Sequence, residues 1–281
     1  MKRKTLVVTF GLMTVAGGIA LARHHGGHRF ERMESKISER IEGALTAAKA
    51  TDAQRTQVDA ARDHVFAVVK ESFRSRHEGM NDALALFAAD TLDQTKVAEL
   101  RAKHRAVADK IGDAFVQGLY DTHDALSPTQ RKAFADYIRA HRPGDGGQGS
   151  KDGGWHRRGG KMMQGFIQKR IDSALDEIKA TPAQRATVNA ARERVMGVFK
   201  EGRGEHHLEK DEFLNLLTAD KIDPAQVEKI RADQRAEMQK AGDAIVSAIT
   251  DVHDALSSAQ RKTLVDYIRS HHPHMGGKDR E

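Results

Sequence analysis

The sequence predicts an all-α protein built from two tandem copies of one helical unit. Three observations carry this. Only five prolines stand in 281 residues otherwise rich in Ala, Glu, Lys, Arg and Gln, the best helix formers. Apolar residues recur at helical spacing, with no run of period-2 alternation. The chain also aligns with itself at an offset of 130 residues: without a gap from Ile41 to Pro143, nearly half of the positions are identical.

The first 22 residues carry the basic start Lys2-Arg3-Lys4, an apolar run, and Ala20-Leu21-Ala22, an A-x-A cleavage pattern. They read as a signal peptide over 1–22, with a retained anchor as the less favoured alternative. The expected product is an exported, periplasmic protein with no stable membrane insertion. Its domains are a first helical unit over 23–143, a Gly-rich linker over 144–160, a second unit over 161–273 and a tail over 274–281.

In copy one, Phe30, Met33, Ile37, Ile41 and Leu45 mark a first helix. Val58, Ala61, Val65, Val68 and Phe73 mark a long second helix, and Val97, Leu100, Val107, Ile111, Phe115 and Leu119 a third. A short fourth runs from Pro128 to Arg139. Copy two repeats the series. The stripes are narrow and the opposite faces charged, so one copy alone buries only a thin core. This predicts that the copies pair along their helices.

Helix starts are written as capping boxes. Thr51 with Gln54, Ser127 with Gln130, Thr181 with Gln184 and Ser257 with Gln260 each place a hydroxyl cap three residues before a glutamine. Asp93 and Asp223 are expected to cap two further helices. Leu126 and Leu256, just before their caps, stand where a hydrophobic staple packs.

Composition excludes several functions. Without cysteine there is no disulfide frame, thiolate metal site or cysteine nucleophile. Net charge is +6, falling to +3 without the leader, and aromatics are 5% of residues, which argues against nucleic acid. No phosphate loop, nucleophile elbow or zincin motif occurs, so an enzyme is not expected. His123-Asp124 and His253-Asp254 repeat between copies. Adjacent helix residues diverge, so they read as imidazoles near a helix C-terminus rather than as dyads.

Two boxes per copy around a long hairpin resemble the Spy/CpxP family, whose hallmark is a pair of L-T-x-x-Q motifs. "ATDAQRTQV", "AADTLDQTKVAEL" and "ALSPTQRKAF" follow its order, as do their copy-two counterparts. The departures are Ala50 and Ala180 for Leu, and Ser127 and Ser257 for Thr. The resemblance implies two units packed antiparallel as a curved, pseudo-dimeric cradle. It also implies ATP-independent chaperoning of unfolded or misfolded periplasmic and outer-membrane proteins, with no required cofactor. The client face it implies comprises Ala48, Val58 and Arg62, with Ile178, Val188 and Arg192 opposite.

Histidine clusters support an alternative. His24, His25 and His28 lie in one cluster, His206 and His207 in a second, and His271, His272 and His274 in a third. Such spacing suits zinc, copper or nickel. The alternative is a metal-binding or metal-sensing envelope protein, or a ligand of a sensor kinase's periplasmic domain, as some members of the resembled family are.

Overall fold

The computed structural model describes residues 26–141, 165 and 167–271. The expected signal peptide, linker and C-terminal tail lie outside these. Every regular element among the described residues is an α-helix. Copy one contains α1 (Gly26–Ala47), α2 (Asp52–Ala88), α3 (Gln94–Ala125) and α4 (Pro128–Ala140). Copy two contains α5 (167–177), α6 (Pro182–Thr218), α7 (Pro224–Ala255) and α8 (Ser258–His271).

The expected caps are made. Thr51, Ser127 and Thr181 each accept from the backbone N–H of the glutamine three residues on, and each glutamine reaches back to the cap's N–H. Ser257 and Gln260 form the same reciprocal pair. Asp93 accepts from the Lys96 N–H at 3.1 Å and Asp223 from the Ala225 N–H at 2.9 Å. Leu126 and Leu256 are buried.

The sequence did not announce how α1 and α5 stop. Lys49 has φ 53° and Lys179 φ 51°. Ala50 N–H donates to the Leu45 carbonyl and Lys49 N–H to that of Thr46; Ala180 to Leu175 and Lys179 to Asp176 repeat the pattern. These are Schellman ends with lysine, not glycine, in the left-handed position.

Helices α2 and α3 form a long hairpin, each about 50 Å at 1.5 Å per residue, and α6 and α7 form its counterpart. In each copy the start of the first long helix meets the end of the second, forming the base; the turn at 89–93 or 219–223 is the tip. The hairpins lie antiparallel. The base of copy one meets the tip of copy two, where α4 packs on α6. The base of copy two meets the tip of copy one, where α8 packs on α2.

The core is correspondingly divided. One cluster, at the base of copy one, joins Leu45, Val58, Leu119, Leu126 and Phe134 to Leu214, Leu217 and Ile222 of the other copy. The other, at the base of copy two, has Leu175, Ile178, Ala180 and Leu256 as its buried members, with Phe87 of copy one packed against them. The core that one copy lacks is thus completed by the other.

Candidate functional site

The two capping glutamines of each copy face each other at the base. Gln54 Nε2 donates to Gln130 Oε1 at 2.8 Å, and Gln130 Nε2 returns the bond to Gln54 Oε1 at 2.9 Å. The second proton on Gln54 goes to the Ala125 carbonyl at 2.9 Å, and that on Gln130 reaches the Lys49 carbonyl at 3.4 Å. Each Oε1 also accepts from its own cap N–H, so both amides use all their donors and lone pairs. Gln184 and Gln260 repeat the pairing at 2.8 and 3.0 Å. The box therefore starts a helix and also ties two helix starts to two helix ends, those of α1 and α3.

The repeated His-Asp phrase works between the copies. His123 Nε2 donates to the Ala219 carbonyl at 3.0 Å, and His253 Nε2 to the Ala89 carbonyl at 3.1 Å. Both rings are buried, 8% and 3% exposed. With Nε2 pinned across the interface, Nδ1 turns to its own neighbour: Asp124 Oδ1 lies 3.3 Å away and Asp254 Oδ1 3.1 Å. This corrects the expectation that the adjacent side chains diverge. The position near a helix C-terminus holds, since His123 sits in the last turn of α3 and His253 in that of α7.

Arg131 and Arg261 complete each clasp. Arg131 donates to the carbonyls of His123 (3.2 Å), Leu126 (2.9 Å) and, across the interface, Ala219 (3.0 Å). Arg261 donates to those of His253 (3.1 Å), Leu256 (2.6 Å) and Asp90 (3.2 Å). These buried guanidiniums meet carbonyls rather than carboxylates. They sit where the C-terminal ends of two helices converge, and the partial negative charge of the helix ends replaces a counter-ion.

Midway along the hairpins the pseudo-twofold recurs. Arg231 pairs with Asp113 at 2.7 Å, and Arg101 pairs with Asp243. Gly112 makes room for this: a methyl group there would strike the Arg231 guanidinium. Each residue and its partner exchange roles between copies, as at an isologous dimer interface.

Three of the six residues expected on the client face are not displayed in this arrangement. Ala48, Val58 and Ile178 are 5%, 2% and 4% exposed and belong to the two cores. Val188 is half-buried against the smaller one. Arg62 is held by Asp59 and Asp63, and Arg192 by Gln168 and, at 3.6 Å, Glu193. Ala48, Val58 and Ile178 face inward because the thin helices need the same stripe to close the core. Among the described residues the exposed large hydrophobics are Met33 and Ile249.

Of the expected metal ligands, His24, His25, His272 and His274 lie outside the described residues, as do the side chains of His28, His206 and His207. His271 is described. Its ring stacks on Tyr267 with centroids 4.0 Å apart, and Nδ1 donates to the Tyr267 carbonyl at 2.9 Å. His141 does the same on Tyr137, at 3.9 and 2.9 Å. Among the described residues no group of three or more His, Asp or Glu side chains is placed to hold a metal ion. No described helix is long and apolar enough to cross a membrane.

The family model described as heavy-metal resistance matches residues 4–133 and again 146–263, one match to each copy. The chain belongs to this Spy/CpxP-like family, as a tandem duplication. No curated protein and no solved structure matches the chain.

Proposed function

We propose that the protein is a periplasmic, ATP-independent holding chaperone that binds aggregation-prone envelope proteins and is not an enzyme. One observation carries the reading: the apolar cluster at the base of copy two is incompletely covered. Phe87, Ile171, Val188, Val252 and Leu264 are packed against it yet remain partly exposed. Non-directional apolar contact of this kind tolerates many sequences, which reversible holding requires. Family membership and the signal-like start support export.

A metal-responsive role is the second reading, favoured by His141 and His271. Each donates from Nδ1 to a carbonyl, which leaves the Nε2 lone pair as the ligand atom, the arrangement common for metal-bound imidazole. Light scattering of an unfolded model client, with mature protein in chelator and then in zinc, separates the two. Suppression in chelator supports the chaperone. No suppression in chelator, with tight zinc binding and a zinc-dependent change in compactness, rejects it for the metal-responsive role.

A further inference from the structure

The two ends of the pseudo-dimer share their polar clasp but not their apolar seal. At the base of copy one, Val58, Leu119 and Leu217 are each 2% exposed. Their counterparts 130 residues away are Val188 and Phe87, both partly exposed, and Ile249, 37% exposed. The copy-one end also holds Arg139 against Asn215 at 3.0 Å; among the described residues the equivalent arginine, Arg269, meets Asp266 of its own helix and no residue of the other copy. Local opening starts where apolar contacts are fewest, which is the base of copy two.

What closes that base is the last turn and exit of α2, Phe87 to Asp90. The Phe87 ring meets the His253 ring edge-on at 5.9 Å. His253 takes the Ala89 carbonyl, Arg261 takes the Asp90 carbonyl, and Ser258 Oγ donates to Asp90 Oδ1 at 2.6 Å. Apart from the Ser258 bond to the Asp90 carboxylate, copy two thus recognises one large apolar side chain and two main-chain oxygens. Any unfolded polypeptide offers the oxygens, and any with an aromatic or large aliphatic residue offers the side chain.

We infer that residues 87–90 act as a built-in ligand over the copy-two base, and that opening there hands the His253, Arg261 and Leu256 surface to an apolar segment of an unfolded client. This rests on the holding function proposed above. The closed form then competes with the client, and weakening the built-in ligand raises the binding-competent fraction and the apparent affinity in proportion.

The test uses the full mature chain and a fluorophore-labelled, permanently unfolded reporter, reduced and carboxymethylated lactalbumin. Phe87→Ala should tighten reporter binding by up to about tenfold. Ser258→Pro, which copies Pro128 of copy one and favours the helix start, should tighten it by about two- to threefold without touching the core. Leu217→Ala at the opposite end should give no tightening. Native-state amide exchange should show residues 84–90 and 252–262 opening before 119–135 and 214–222.

Equal protection at the two ends overturns the inference. So does unchanged or weaker reporter binding by Ser258→Pro. If exchange shows the opening but the wild-type chain binds no reporter, the holding function itself fails; if the wild type binds and Ser258→Pro does not improve it, only the built-in ligand fails.

Discussion

Gln54 and Gln130 stand 76 residues apart in sequence and are joined by two antiparallel amide hydrogen bonds of 2.8 and 2.9 Å. Each is at once the third residue of a helix, the return arm of its own cap and the partner of the other. A motif read as a local helix start is therefore a tertiary tie, made again by Gln184 and Gln260.

Breaking the tie should cost more than losing a cap. Gln54→Ala strands Gln130 and the Ala125 carbonyl, at a cost of about 2 kcal/mol. Gln54→Ala and Gln130→Ala should couple by about 1 kcal/mol in a double-mutant cycle followed by urea unfolding. Strict additivity would show that each glutamine acts only as a cap.

Lys49 and Lys179 sit in a backbone conformation that costs a side-chain-bearing residue about 1 kcal/mol and glycine almost nothing. Lys49→Gly and Lys179→Gly should each raise the denaturation midpoint, by roughly 0.5–1 kcal/mol in stability. A loss of stability would mean that the lysine stems contribute packing greater than the strain.

Arg131→Met should destabilise by about 2–3 kcal/mol, because three carbonyls lose a shared donor in a buried place. Arg131→Lys should recover less than half, since an ammonium cannot reproduce the planar fork. Thermal unfolding followed by circular dichroism reads both. Full rescue by lysine would indicate that charge at the helix ends, and not the fork, holds the clasp.

Burial pushes the Glu212 carboxyl above its usual range, with Asp233 adding to the rise and Lys229 opposing it. A carboxyl raised in the folded state ionises more readily in the unfolded chain, so its contribution to stability falls as pH climbs above about 4.5. Glu212→Gln should therefore raise the melting temperature at pH 7 and leave it nearly unchanged at pH 4. Asp90 has the opposite sign. The Ser258 hydrogen bond, helped by Lys262, lowers it, so its contribution holds above about pH 3.8 and fades as pH falls below that. Ser258→Pro should weaken that acid-side dependence, leaving the part due to Lys262 and Arg261.

The helix starts, the duplication and the need for pairing were legible because each is local chemistry or simple periodicity. Serine or threonine three residues before glutamine has one strong structural meaning. The glutamine pairing was not legible, because nothing in a 76-residue separation says that two caps meet. The ends of α1 and α5 were hidden because lysine occupies a position where glycine is the usual signal. The burial of Ala48, Val58 and Ile178 was not legible for a related reason. An apolar stripe bearing Val58 looks the same whether it closes a core or receives a ligand, and only the opposed copy decides. His123 and His253 repeat within "HDALS" in both copies, a signal strong enough to mark them. It did not reveal that their target was a main-chain oxygen.

That choice of target has its own consequence. All twenty amino acids carry the same carbonyl, so no substitution at Ala89, Asp90 or Ala219 deletes the acceptor that His253, Arg261, His123 and Arg131 seek. The tips of the hairpins can therefore change residues without losing these acceptors, whereas the four donors must be kept. One side of the joint is written in side chains and can be lost by mutation. The other is written in the backbone and can be lost only by misplacing the turn.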